Sequence, residues 1–273
     1  MSIKNKMKKF LLLLLVFSIS CSKKDNATAQ SITENNNIDF SNLLWSEEFD
    51  LDGAPSSNNW FLETIPPNNG SWWNNEVQYY TDRRSNSIVE NGVLKIIALK
   101  EEYQGKSYTS ARMTTQNLFE FKYGMIEIKA KLPEGQGTWP ALWMLGENID
   151  SIGWPFCGEI DIMEHGDGIP GLVSSAIHLP NSNGNHYFLR GEQTIENPSS
   201  AFHIYKAKWT SSKIQFFVDD IKYHEVSLDN SMPFHHPFFI ILNVAMGGDF
   251  TNNNIDPNFE SARMEVDYIR VYQ

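Results

Sequence analysis

The chain has 273 residues, 41% hydrophobic and 13% aromatic, enough apolar material to bury a large core. Its formal charge of −11 gives a surface that repels phosphate backbones, which argues against nucleic acid as a partner and, more mildly, against heavily sulfated polymers. A neutral ligand suits such a surface.

The first twenty residues carry an export pattern. Lys4, Lys6, Lys8 and Lys9 precede an apolar run from Phe10 to Ile19 that is too short to cross a bilayer as a helix. Ser20 before Cys21 resembles a bacterial lipobox, in which Cys21 is lipidated after cleavage, although Ser18 stands where Leu is usual. An ordinary secretory signal cut near Ala29 or Gln30 is the alternative. Residues 21–40, rich in Ser, Thr and Asn, read as a flexible tether. If Cys21 takes lipid, Cys157 is alone, no disulfide forms, and the fold rests on its core. Cys157 itself reads as a small buried strand residue rather than a nucleophile, since no His–Cys arrangement accompanies it.

From residue 41 to residue 273 the texture is uniform, with no internal repeat, second linker or charge block, which predicts one domain. Period-two or β-branched patterns predict strands at Val93–Leu99, Tyr123–Leu132, Ile214–Asp219 and Met264–Tyr272. Turn signals separate them at Asn91-Gly92, Pro133–Gly137, Asn181–Gly184 and Gly247-Gly248. Only Ser199–Lys208 suggests a turn or two of helix. The expected fold is all-β: a large antiparallel β-sandwich or jelly roll.

The sequence GEIDIMEH, from Gly158 to His165, breaks its own alternation. Glu159 and Asp161 alternate with Ile160 and Ile162, so they share one strand face, but the next acid is Glu164 rather than residue 163. A β-bulge at Ile162–Met163 restores the register and puts all three acids on one face, with Ile160 and one of Ile162 or Met163 in the core. Acids are poor strand residues, and neighbouring carboxylates raise one another's pKa, so stability alone would not place three there. Two carboxyls that can lean to about 5–5.5 Å suit a retaining glycosidase. Glu159 would be the nucleophile and Glu164 the general acid and later base. Asp161 would share a proton or hydrogen bond with the nucleophile. Trp139, Trp143 and Trp154 lie within twenty residues of these acids, and indoles stack on the C–H faces of sugar rings. The rival reading of each Trp is core filling.

GEIDIMEH, preceded by GQGTWPALWML at Gly135–Leu145, resembles the active-site strand of glycoside hydrolase family 16, in its laminarinase-type endo-β-1,3-glucanases. The likeness extends to Trp45–Asp50, Asn74–Thr81, Ser110–Met113, Pro237–Gly248 and Val266–Tyr272. It implies a concanavalin A-like jelly roll with a cleft on its concave face, hydrolysis of β-1,3-glucan by double displacement, and no cofactor for the chemistry. It also implies glucan contacts at Asn75, Arg112, Trp139, Trp143, Trp154 and His178. A structural Ca²⁺ through Glu48, Gly92 and Asp267 is implied as well, with oxygen ligands. The bulged strand is shared by laminarinases, agarases and carrageenases, whereas lichenases and xyloglucan transglycosylases carry the regular form. The uninterrupted GTWPALWML and Trp154-Pro155 favour the laminarinase side. Mixed-linkage glucan, agar and carrageenan remain alternative substrates, and a non-catalytic glucan-binding protein is the alternative of another class, set against the presence of all three acids. His235-His236 reads as a loop, and no HExxH spacing occurs. The membrane enters only through a lipid at Cys21, and nothing in the sequence calls for more than a monomer.

Overall fold

The computed structural model describes residues 40–166 and 169–273. The leader, Cys21 and the tether up to residue 39 lie outside the described residues. The described residues belong to one compact unit.

Among the described residues, eighteen strands follow one another: β1 (Leu43–Glu47), β2 (Phe61–Leu62), β3 (Gln78–Tyr80), β4 (Ser87–Glu90), β5 (Val93–Tyr103), β6 (Lys106–Ser110), β7 (Arg112–Thr114), β8 (Glu120–Phe121) and β9 (Gly124–Lys131). Then come β10 (Thr138–Gly146), the one-turn helix α1 (Ile149–Ile152), β11 (Glu159–His165), β12 (Leu172–Pro180), β13 (His186–Thr194), β14 (His203–Trp209), β15 (Lys213–Val218), β16 (Ile221–Ser227), β17 (Phe238–Met246) and β18 (Ser261–Tyr272). They make two sheets. One runs β16-β15-β14-β9-β18-β5-β6-β3, with β1 also on β18 and β4 on β5; the other runs β13-β12-β11-β10-β17-β7-β2, with β8 on β17. All the strand pairs are antiparallel except β3 with β6. The jelly-roll sandwich expected from the sequence is the fold observed.

Alternation explains why the sheets face each other. On β9 the residues Ile126, Ile128 and Ala130 are buried while their neighbours are half-exposed, and β5 repeats the pattern with Leu94, Ile96 and Ala98. Each such side chain contributes roughly 1.5–3 kcal/mol for a Val, Leu, Ile or Phe taken out of water. The central β17, FFIILNVAM, is buried at every position. Its Phe238, Ile240, Leu242, Val244 and Met246 join the main core, while Phe239 and Ile241 join a small cluster with Leu145 and Cys157.

Two expectations are corrected. Ser199–Lys208 is not helical: a turn at Asn197–Ala201 leads into β14. The hydroxyl-rich Ser199-Ser200 suggests a helix start, but Tyr205, Ala207 and Trp209 are buried at period two and β9 offers a full ladder of partners. Cys157 is buried as expected, but it sits in a turn before β11 rather than in a strand.

Candidate active site

The bulge on β11 is present. Against β12, Asp161 pairs with Ala176 and Glu164 with Ser174, so Ile162 and Met163 together oppose one residue, Ser175. Against β10 the shift falls at the same place, where Trp143 pairs with Asp161 but Leu142 pairs with Met163. A bulge lets two adjacent side chains turn to the same side. Ile162 and Met163 are therefore both in the main core, together with Ile160, rather than only one of the two as the alternation suggested.

The three acids thus share one face, and cross-strand partners extend it into rows. Glu159 stands opposite Leu145 on β10 and His178 on β12. Asp161 stands opposite Trp143 and Ala176, and Glu164 opposite Ala141, whose other neighbour on β17 is Asn243. Asn243 in turn pairs with Arg112 on β7.

Each acid has its own polar partner. The Trp154 indole N–H donates to Glu159 Oε2 over 3.0 Å, and the Trp139 indole N–H donates to Glu164 Oε1 over 3.0 Å. His178 Nε2 is 2.9 Å from Asp161 Oδ2 and 3.8 Å from Glu159 Oε1. Burial is the main force on all three carboxyls and pushes each up to about 8. The Asp161 charge raises Glu159 and Glu164 further, while the Trp154 hydrogen bond and His178 pull Glu159 back. A hydrogen bond to Glu159 lowers Asp161. Three such close carboxyls do not all ionise together, so the cluster holds protons at neutral pH and titrates as a unit.

The remaining expected residues surround this centre. Trp143 donates its indole N–H to Asn243 Oδ1 over 2.8 Å, and the Arg112 guanidinium lies 4.7 Å from its ring centroid. Arg112 is itself anchored by a hydrogen-bonded ion pair with Glu63 and lies 5.6 Å from the Trp72 ring. Trp139 stacks on Phe250, with centroids 5.0 Å apart and planes at 12°. Asn75 donates to Asp249 Oδ1 over 2.8 Å in a hollow it shares with Asn74, Trp72 and Glu76. Direct contacts therefore join Trp139, Trp154 and His178 to the acids, whereas Arg112 and Trp143 join them through the rows of the sheet and Asn75 through its own hollow.

The sequence reading missed Asn243, Glu63, Phe250, Asp249 and His186. Asn243 had a signal: it is the one polar residue in the apolar run of β17. Its Nδ2 group also donates to Tyr80 Oη over 3.1 Å, and Tyr80 donates to the buried Glu76, so a polar chain supports Trp143 from below. The others are made neighbours only by the fold.

Among the described residues, the grouping of carboxylates and imidazoles tight enough for a metal is Glu159, Asp161 and His178, with their polar atoms within 4.8 Å of one another. The imidazole already lies against both carboxyls as their polar neighbour, and we assign no metal there. The expected calcium residues lie on the other sheet. Glu48 takes Arg270 in a two-point contact at 2.9 and 2.8 Å, and Asp267 pairs with Lys129 at 2.6 Å. Both carboxylates thus have cationic partners, and carbonyl oxygen is what remains for a cation. Asp267 is the extra residue of a bulge between β18 and β9, where the ladder skips from Val266 to Tyr268. Gly92 closes the β4–β5 hairpin with Asn91, both at positive φ, 73° and 56°. The Cys157 thiol is pushed up to about 12 by burial and by the Glu159 charge, which leaves it protonated and unreactive.

Comparison with known proteins agrees with this geometry. The family Glycosyl hydrolases family 16 matches residues 72–270. A β-glucanase from Rhodothermus marinus is 39% identical over 85% of each chain. The solved laminarinase from the same organism superposes with a TM-score of 0.77 at 38% identity, covering 85% of this chain and 97% of that one. A Zobellia galactanivorans structure in complex with laminaritriose and laminaritetraose gives a TM-score of 0.81 at 40% identity over 86% of this chain and 100% of the other.

Proposed function

The chain belongs to family 16 of the glycosyl hydrolases, and on that premise we propose that it is a retaining endo-glycosidase acting on β-1,3-glucan of the laminarin type. The observation that carries the reading is the bulged strand β11, whose Glu159 and Glu164 stand on one face, each with an indole N–H as partner.

In the first step Glu159 attacks the anomeric carbon while Glu164 gives its proton to the departing glycosidic oxygen. Burial favours the proton that Glu164 must carry for this. Glu159 has to act as an anion, and the Trp154 N–H and His178 support that charge. Asp161 holds the proton that the pair would otherwise contest. In the second step Glu164, now a carboxylate, takes a proton from water, which attacks the same carbon and frees Glu159. Trp139, Trp143 and Trp154 supply flat faces for sugar rings, and Arg112, Asn75 and His178 supply polar contacts. The test is proton NMR of early product from laminarin. The β-anomer appearing first supports double displacement, and the α-anomer appearing first overturns it.

A structural calcium ion belongs to the same reading, held through oxygens of Glu48, Gly92 and Asp267, with the bulge at Asp267 as support. So does export as a monomeric lipoprotein anchored at Cys21, supported by the lysine-led apolar run before that cysteine. Cys21→Ser should release the protein from the membrane fraction; unchanged fractionation would remove the anchor from the proposal.

A further inference from the structure

A line of side chains runs across three strands beside the nucleophile position. Glu159 on β11 is opposite His178 on β12, and His178 is opposite Phe188 on β13. His186 lies two residues before Phe188, shares its face and reaches His178 on the diagonal. His178 Nδ1 makes a hydrogen bond with His186 Nε2 at 2.7 Å, and its Nε2 lies 2.9 Å from Asp161 Oδ2, a buried oxygen with no hydrogen-bond partner among the described residues. The two imidazoles are nearly parallel, at 7°, with centroids 5.0 Å apart. Phe188 lies 5.8 Å from His186, and Trp154, the donor to Glu159, lies 4.5 Å from it. His186 is solvent-exposed yet held between aromatic neighbours.

A hydrogen bond between two neutral imidazoles needs one donor and one acceptor. Partial burial, and then the neighbouring His178, hold His186 below the ordinary imidazole range. Two arrangements make this bond. In one, His186 donates from its Nε2 to a bare His178 Nδ1, and His178 carries its hydrogen on Nε2, beside Asp161. In the other, His178 donates from Nδ1 to a bare His186 Nε2 and turns a bare Nε2 toward Asp161. The charged and titratable groups facing this line are Glu159, Asp161 and Glu164 on β11, with Arg190 on β13 acting on Asp161 and Glu164.

We propose that His186 is a positioning residue that fixes the tautomer of His178 and, with it, whether that ring turns an N–H or a lone pair toward the buried Asp161. The inference rests on the reading of Glu159 and Asp161 as nucleophile and assisting acid. Its role is distinct from that of a sugar platform, which would act on binding alone.

Two substitutions separate these roles. His186→Phe keeps a ring against Trp154 and Phe188 but removes both nitrogens, whereas His186→Gln places an amide near the position of Nε2. The expected result on laminarin is a kcat lower by about tenfold for the Phe variant with KM nearly unchanged, and substantial recovery in the Gln variant. Ring ¹⁵N NMR gives a second readout: His178 should show one defined tautomer in the native protein and a mixture in the Phe variant. An unchanged kcat and unchanged His178 signals in the Phe variant would overturn the proposal, as would a change confined to KM or equal losses in both variants. If the native protein left laminarin intact, the functional reading would fail, while the ¹⁵N comparison would still decide the tautomer claim.

Discussion

Glu164 concentrates the chemistry of the site in one side chain. It is half-buried, accepts a hydrogen bond from Trp139, and is pushed up to about 8 by burial and then by the Asp161 charge. Glu164→Gln keeps the shape and the indole contact but cannot give or take a proton. Its kcat on laminarin should fall by about 10²–10⁴-fold, the range for loss of a general acid–base group. The same substitution should reveal a stability effect whose sign follows from linkage. The folded-state pKa is above the ordinary carboxylate value of 4.5, so the native protein binds more protons than the unfolded chain between about 4.5 and 8. The group's contribution is therefore fully present below that window and is lost as pH rises through it. Glu164→Gln lacks this loss, so its Tm relative to the native enzyme should climb from pH 4.5 to 8 and level off above. Differential scanning calorimetry across that range checks it, and a Tm difference that does not change with pH would contradict the burial argument.

At the level of elements, β11 depends on how the chain enters it. Gly158 has φ +73°, a conformation that L side chains adopt poorly, and a Cβ there would lie 2.4 Å from the Pro233 carbonyl and 3.1 Å from Phe238. Gly158→Ala should cost about 1–3 kcal/mol or more in urea unfolding and lower kcat, because Glu159 follows directly. A variant as stable as the native protein would show that the loop at Pro233 yields freely. The bulge was legible because the acids themselves broke the period: Glu159 and Asp161 set a parity that Glu164 could meet only with one residue added. The strand β14 was not, since Ser199-Ser200 outweighed the weaker alternation of Tyr205, Ala207 and Trp209, and only the ladder with β9, distant in sequence, decides between them. Trp139, Trp154 and the acids were readable from their closeness in sequence. His186 and Phe250 were not, because a cross-strand diagonal and a stack between distant segments leave no local trace. The calcium reading also belongs here, since its oxygens come from the end of β1, the β4–β5 turn and the bulge on β18. A chelator should lower Tm without altering kcat at room temperature, by mass action of about 2.7 kcal/mol for an ion present at a hundred times its Kd. An unchanged Tm would remove the ion from the proposal.

Across the whole molecule, charge and cleft chemistry point to the same class of polymer. The chain is acidic, at −11, and the cleft face adds three carboxyls to an aromatic lining, while Arg112 beside Trp143 is already paired with Glu63 and Arg190 with Glu192. A sulfated galactan would bring fixed negative charge toward this surface and find no unpaired arginine at Trp143 to receive it, whereas laminarin brings hydroxyls and C–H faces that suit indoles. The two polymers should therefore respond differently to salt. For neutral laminarin there is no long-range attraction to screen, so kcat/KM should vary by less than about twofold as the screening length shrinks from roughly 30 Å at 0.01 M to 3 Å at 1 M. For κ-carrageenan, cleavage should be undetectable at low salt, where repulsion is strongest, and salt should not restore it, because screening removes repulsion without supplying a sulfate partner. Reducing-end assays on both polymers across that range check the expectation. A laminarin rate that collapses with salt would mean that charge, rather than stacking, draws the substrate in. Carrageenan cleaved at a comparable rate would move the specificity of this cleft away from neutral glucan.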